Sequence, residues 1–119
     1  MCDVDYGEAV SIGGEFDKGV RGMTITELVK QAHKNAVDKG FYDNPREFGT
    51  VIALFHSELS EALEAHRNCE PLERIAEEFA DVFIRIADTC GYMGLDLEAA
   101  IVAKMERNRA RVYKHGKAY

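Results

Sequence analysis

Two acidic pairs set into helical apolar stripes constrain this chain more than any other feature. Glu58 and Glu61 form one pair, Glu78 and Asp81 the other, each spaced i, i+3 within the stretch LFHSELSEALEAHRNCEPLERIAEEFAD. At about 100° per residue, i and i+3 project from nearly the same side of a helix. Leu54, Phe55, Val51 and Ala62 fall within about 60° of Glu58, so that glutamate lies inside an apolar stripe. Around Glu78, Ile75, Val82, Ile86 and Phe79 lie about 40–100° away, with Asp81 across the edge. If the two faces pack together, four carboxylates converge. Such a cluster does not stay ionised and buried without a cation.

The rest of the chain reads as helices with short connections. Thr24 and Glu27 make a capping box, and a helix follows to about Lys39, stopped by Gly40. Ile25, Leu28, Val29, Ala32, Ala36 and Val37 mark its buried stripe. Asn44 as N-cap, Pro45 in the first turn and Glu47 at N3 open a second helix to about Arg67. Pro71 opens a third, to about Thr89 or Cys90, and Gly91 and Gly94 frame a loop. Asp96 caps a fourth that reaches about Val112. No alternation of period two, internal repeat or low-complexity tract is present. The expected fold is all-α, an antiparallel four-helix bundle. Residues 1–22, with five glycines and little periodicity, read as a flexible or irregular arm, and the helical domain as 23–119.

Composition narrows the function. A net charge of −6 argues against a general nucleic-acid binder. The charge is uneven: residues 104–119 carry Lys104, Arg107, Arg109, Arg111, Lys114 and Lys117 against Glu106, which suggests a local anionic ligand or a partner's acidic face. No apolar run reaches membrane-spanning length. Three cysteines without a C-x-x-C make a disulfide framework or a zinc site an unfavoured expectation and point to a reducing cytoplasm.

A hard, all-oxygen site suits Mg²⁺, with Mn²⁺ nearly as acceptable. No histidine follows a glutamate by three residues, which removes the di-iron bundle reading, and H-E-x-x-H is absent. Mg²⁺ sites of this kind normally act on phosphates. On the fourth helix Lys104, Asn108 and Arg111 share a polar stripe beside Ile101, Met105 and Val112 and offer charge and hydrogen bonds to such a ligand. The bland alternatives are a solvated acidic face and snorkelling surface cations. Arg85, close to Glu78 on its helix face, is a candidate structural ion pair. Phe41 and Tyr42 are expected to cover the end of the core, stacking on a planar ligand being the alternative.

The segment Glu58–Leu59–Ser60–Glu61, sixteen residues, then Glu78–Phe79–Ala80–Asp81 resembles the E-x-x-E…E-x-x-D signature of the MazG-like all-α nucleoside triphosphate pyrophosphohydrolases. Lys104–Met105–Glu106–Arg107–Asn108–Arg109–Ala110–Arg111, with Tyr113, Lys114, His115 and Lys117 behind it, is similar to the Lys…Asn…Arg segment and basic tail of short members of that family. The likeness covers about residues 24–117; residues 1–22 match nothing in it. It implies Mg²⁺-dependent hydrolysis of an NTP or dNTP to the monophosphate and pyrophosphate by a homodimer or homotetramer. It implies metal ligation by Glu58, Glu61, Glu78 and Asp81, and nucleotide contact by Lys104, Asn108 and Arg111. Asn35, Phe41 and Tyr42 are candidate base or sugar contacts. We expect Glu61, at the edge of its stripe, to orient or deprotonate the attacking water. The alternatives are phosphoribosyl-ATP pyrophosphohydrolysis on the same scaffold, and a non-enzymatic helical oligomerisation module whose acids form a salt-bridged seam with Arg74, Arg85 or the fourth helix.

Overall fold

The computed structural model describes Cys2 and residues 22–112; the expectations for the rest of the arm and for the tail beyond Val112 lie outside these residues. Four helices make up the described chain: α1 (Ile25–Asp38), α2 (Phe48–Arg67), α3 (Leu72–Met93) and α4 (Leu97–Ala110), with no strand among the described residues. Thr24 accepts a hydrogen bond from the Glu27 amide at the start of α1, and Asp96 accepts one from Ala99 at the start of α4. Both caps satisfy amides that the helix itself leaves unpaired.

The first three helices end alike. Each last turn closes through a left-handed residue, with the following amide reaching back five residues: Phe41 to Ala36, Glu70 to Ala65 and Leu95 to Cys90. The left-handed residues are Gly40, Cys69 and Gly94, at φ of 84°, 56° and 71°. This closure favours glycine, because a β-carbon crowds the carbonyl there.

Three helix limits differ from expectation, one of them the end of α4, at Ala110 rather than about Val112. α2 begins at Phe48, with an extended Glu47 before it, rather than after Asn44. Pro45 and Arg46 are drawn instead into the wall of a cavity. α3 continues through Gly91 to Met93. Gly91 is a packing residue, not a loop residue: a β-carbon there would lie 2.6 Å from the His33 β-carbon and 3.3 Å from the Val29 carbonyl oxygen. The absent side chain lets α1 and α3 touch.

α3 is the central helix, packed against α1 on one side and α2 on the other, with α4 resting on α1. Paired residues run in opposite order along both α3 interfaces, Glu58 with Arg85 and Glu61 with Glu78, then His33 with Asp88 and Val29 with Gly91. α3 therefore runs antiparallel to both α1 and α2. The buried apolar residues are small: Ala32, Ala62, Ala65, Val82, Ala87 and Cys90. No large side chain is fully buried among the described residues, while Leu59, Leu63, Phe79, Phe83, Val102 and Met105 are exposed. α4 buries no residue at all. Among the described residues no helix is long and apolar enough to cross a membrane.

Candidate functional site

Among the described residues, Glu58 and Glu78 are the two buried charged ones, 8% and 4% exposed. They sit on facing turns of α2 and α3 because each occupies a stripe position that the helix–helix contact must cover. With the exposed Asp81, each offers an oxygen to a group that lies within 4.8 Å. Burial pushes the Glu78 carboxyl above the usual carboxylate range, and the neighbouring Glu61 and then Asp81 push it further, opposed by Arg74. Glu58, Glu78 and Asp81 therefore meet between α2 and α3, and Glu61, at the exposed edge, neighbours Glu78 without joining that group.

Two arginines answer part of this charge. Arg74 donates to Glu78 at 2.9 Å and to Glu77 at 2.8 Å, with Glu70 at 3.9 Å. Arg85 reaches across to α2 and donates to Glu58 Oε1 at 2.8 Å. The intrahelical partner of Glu78 is thus Arg74, not Arg85. The other Glu78 oxygen, Oε2, is buried with no hydrogen-bond partner. A buried polar atom left without a partner is costly, and one among three further carboxylates invites a cation. Oxygen-only donors with several waters match Mg²⁺ or Mn²⁺ chemistry.

The raised carboxyl has a pH signature. The folded chain holds the Glu78 proton more tightly than the unfolded chain, so this contribution to stability is complete below the ordinary value of 4.5 and is lost as pH rises through the raised one. Metal-free protein should therefore melt at falling temperature as pH climbs above 4.5, and Glu78→Gln should flatten that slope. Added Mg²⁺ should raise the midpoint at neutral pH and lose its effect in acid, which thermal melts across pH will read.

Beside the acids lies a cavity of about 550 Å³, bounded by α1, the 39–48 connection, α2 and α3. Glu58, Asp81 and Arg85 form its wall on the acidic side, and Lys39 and Arg46 line it too. Its volume suits a drug-sized or nucleotide-sized ligand. Asn35, Phe41 and Tyr42 all line it. Phe41 does not cover the core as expected; it is 57% exposed, at the cavity mouth that the shortened α2 leaves open.

A polar–aromatic cluster closes part of the same cavity. Tyr42 Oη donates to Asp88 Oδ1 at 2.8 Å, and His33 Nδ1 meets the same oxygen at 3.0 Å. Tyr42 stacks on Tyr92 with ring centres 4.7 Å apart, and His33 stands edge-on to Tyr42. Burial, then Asp88, raises the Tyr42 phenol well above its usual range, so it remains a hydrogen-bond donor. Sequence reasoning missed His33, Asp88 and Tyr92. One signal was present: Asp88 follows Asp81 by seven residues, on the same face of α3.

Lys104, Asn108 and Arg111 are exposed and do not line the cavity. Arg111 also leaves the expected helical stripe, because α4 ends at Ala110 and Arg111 is extended. Within one chain, α4 rests on α1 and does not bring these residues to the acids.

Comparison with models of known families, with curated proteins and with solved structures returns no match.

Proposed function

We propose that the chain is a Mg²⁺-dependent nucleoside triphosphate pyrophosphohydrolase of the MazG-like all-α type, converting an NTP or dNTP to the monophosphate and pyrophosphate. The observation that carries this reading is the partnerless buried oxygen of Glu78 within a group of three carboxylates, Glu58, Glu78 and Asp81, beside a ligand-sized cavity. Glu58, Glu61, Glu78 and Asp81 are the ligand set. A divalent cation held by them, Mg²⁺ or Mn²⁺, would supply charge neutralisation to phosphate oxygens.

The cavity residues supply the rest. Lys39, Arg46 and Arg85 offer positive charge to the triphosphate, and Phe41, Tyr42 and Tyr92 offer ring faces to the base. Glu61, at the exposed edge, orients or deprotonates the attacking water. Glu61→Ala should lower turnover by about 10²–10⁴-fold, the usual weight of a positioned base, while nucleotide binding by calorimetry is partly kept. Wild-type turnover in that variant removes Glu61 from the role.

Homo-oligomerisation is part of the proposal. A chain whose buried apolar side chains are all small among the described residues, and which exposes Leu59, Leu63, Phe79 and Phe83, gains by covering them with a second copy. Such a copy can also bring Lys104, Asn108 and Arg111 toward a nucleotide. Phe79→Asp with Phe83→Asp should convert the wild-type dimer or tetramer to monomer in sedimentation; a monomeric wild type overturns this part.

The deciding experiment is pyrophosphate release with Mg²⁺ over a panel of NTPs, dNTPs and phosphoribosyl-ATP, with Glu58→Ala as control. Release from phosphoribosyl-ATP alone selects the alternative hydrolase. One observation favours a non-enzymatic module instead: the Arg74–Glu78 and Arg85–Glu58 pairs form a salt-bridged seam. That reading predicts no release from any substrate and no Mg²⁺ effect on melting.

A further inference from the structure

The expectation of unpaired cysteines does not hold. Cys2 and Cys69 form a disulfide, joining the start of the chain to the turn between α2 and α3 across a separation of 67 residues. Cys90, the remaining thiol, is buried and free. The argument from cysteine count for a reducing compartment therefore falls.

The position of Cys69 is informative. α1 and α3 place Gly40 and Gly94 at the left-handed residue of the same closing turn, where α2 has Cys69. It is the one non-glycine with positive φ among the described residues. A cysteine there carries a steric cost that glycine avoids. What it gains is the bond to Cys2. Cys69 is exposed and Cys2 half-buried, so an external thiol can reach the sulfur atoms. Cys2 Sγ also lies 3.3 Å from the His66 carbonyl oxygen, an acceptor ready for the thiol once the bond opens. Next to Cys69, Glu70 pairs with Arg74, which holds Glu78.

We propose that Cys2–Cys69 is a thiol-exchange site that takes a dithiol reductant, and that its redox state sets the order of the α2–α3 turn. A thiolate of the reductant attacks the exposed Cys69 Sγ. The S–S bond breaks and Cys2 leaves as a thiolate, which takes up a proton. The second thiol of the reductant attacks the mixed disulfide, and Cys69 is released and protonated. Two electrons pass to the protein, and the reductant departs as its own disulfide. Reoxidation by a disulfide of the same class reverses each step. The closed bond restricts the unfolded chain and fixes the turn; the open one releases both.

The test uses the full chain with dithiothreitol as the probe. Peptide mapping without reductant should recover residues 2 and 69 in one cross-linked peptide. Dithiothreitol should open the bond without unfolding the protein, lower the melting midpoint by about 10 °C or more, and speed amide exchange over residues 64–78. Cys2→Ser should show the lower midpoint and the faster exchange with or without reductant. Cys69→Gly should keep the turn, because glycine suits the left-handed position, and should also ignore the reductant. Overturning results are free thiols at both positions in air-oxidised protein, a bond that opens only on unfolding, or equal midpoints and exchange in wild type and Cys2→Ser. None of these outcomes depends on nucleotide hydrolysis.

Discussion

Glu58→Ala will lower Mg²⁺-dependent pyrophosphate release by about 10³-fold or more, the loss expected when a cation that stabilises several kcal/mol of transition-state charge is no longer held. Glu58 belongs both to the acidic group and to the cavity wall, so its loss strikes the junction between the two. The substitution also leaves the Arg85 guanidinium without its carboxylate. The folded state must therefore be checked by melting. A soluble, folded variant that no longer gains stability from Mg²⁺ places the effect on the ion. Unchanged release would remove Glu58 from the site.

The second large effect concerns packing. Gly91→Ala will destabilise the chain by about 2 kcal/mol, within the range for overpacking a tight contact. The new β-carbon would stand 2.6 Å from the His33 β-carbon and 3.0 Å from its γ-carbon. Neither is the far end of a flexible side chain, and the Val29 carbonyl at 3.3 Å is backbone. α1 and α3 must part, and His33 must move away from Asp88. Gly49→Ala is the contrast: it also lies in a helix, and its β-carbon would meet nothing within 4 Å. That change should be neutral or stabilising by up to about 1 kcal/mol, from helix propensity alone. Denaturant titrations of the two variants measure the difference. Equal stability would mean that the α1–α3 approach has slack.

Much of this architecture is legible in the sequence, because helices announce themselves locally. Thr24, Asp96, Gly40 and Gly94 are punctuation whose chemistry acts within one turn. The burial of Glu58 and Glu78 follows from stripe position alone, since whichever helix covers the stripe must cover them. What escaped notice is set by neighbours distant in sequence. Arg85 faces Glu58 because α2 and α3 are antiparallel at a particular register, and no intrahelical angle reveals that. Gly91 looks like a helix stop until α1 is laid against it. Cys2 and Cys69 carry no spacing motif, and their meeting depends on where the chain's first residues come to rest. The start of α2 was misread for the opposite reason: Asn44 and Pro45 are good local signals, overridden where the connection lines the cavity.

The pairing of Arg74 and Arg85 with two of the acids has a kinetic consequence. These guanidinium groups are resident counterions on tethers. If the acids take up a cation as proposed, these side chains would need only to swing aside, not diffuse away, for the ion to take their place. A rate of ion uptake that depends on ionic strength would mark such an exchange, with Glu61 and Asp81 as the charge that these two arginines leave unanswered.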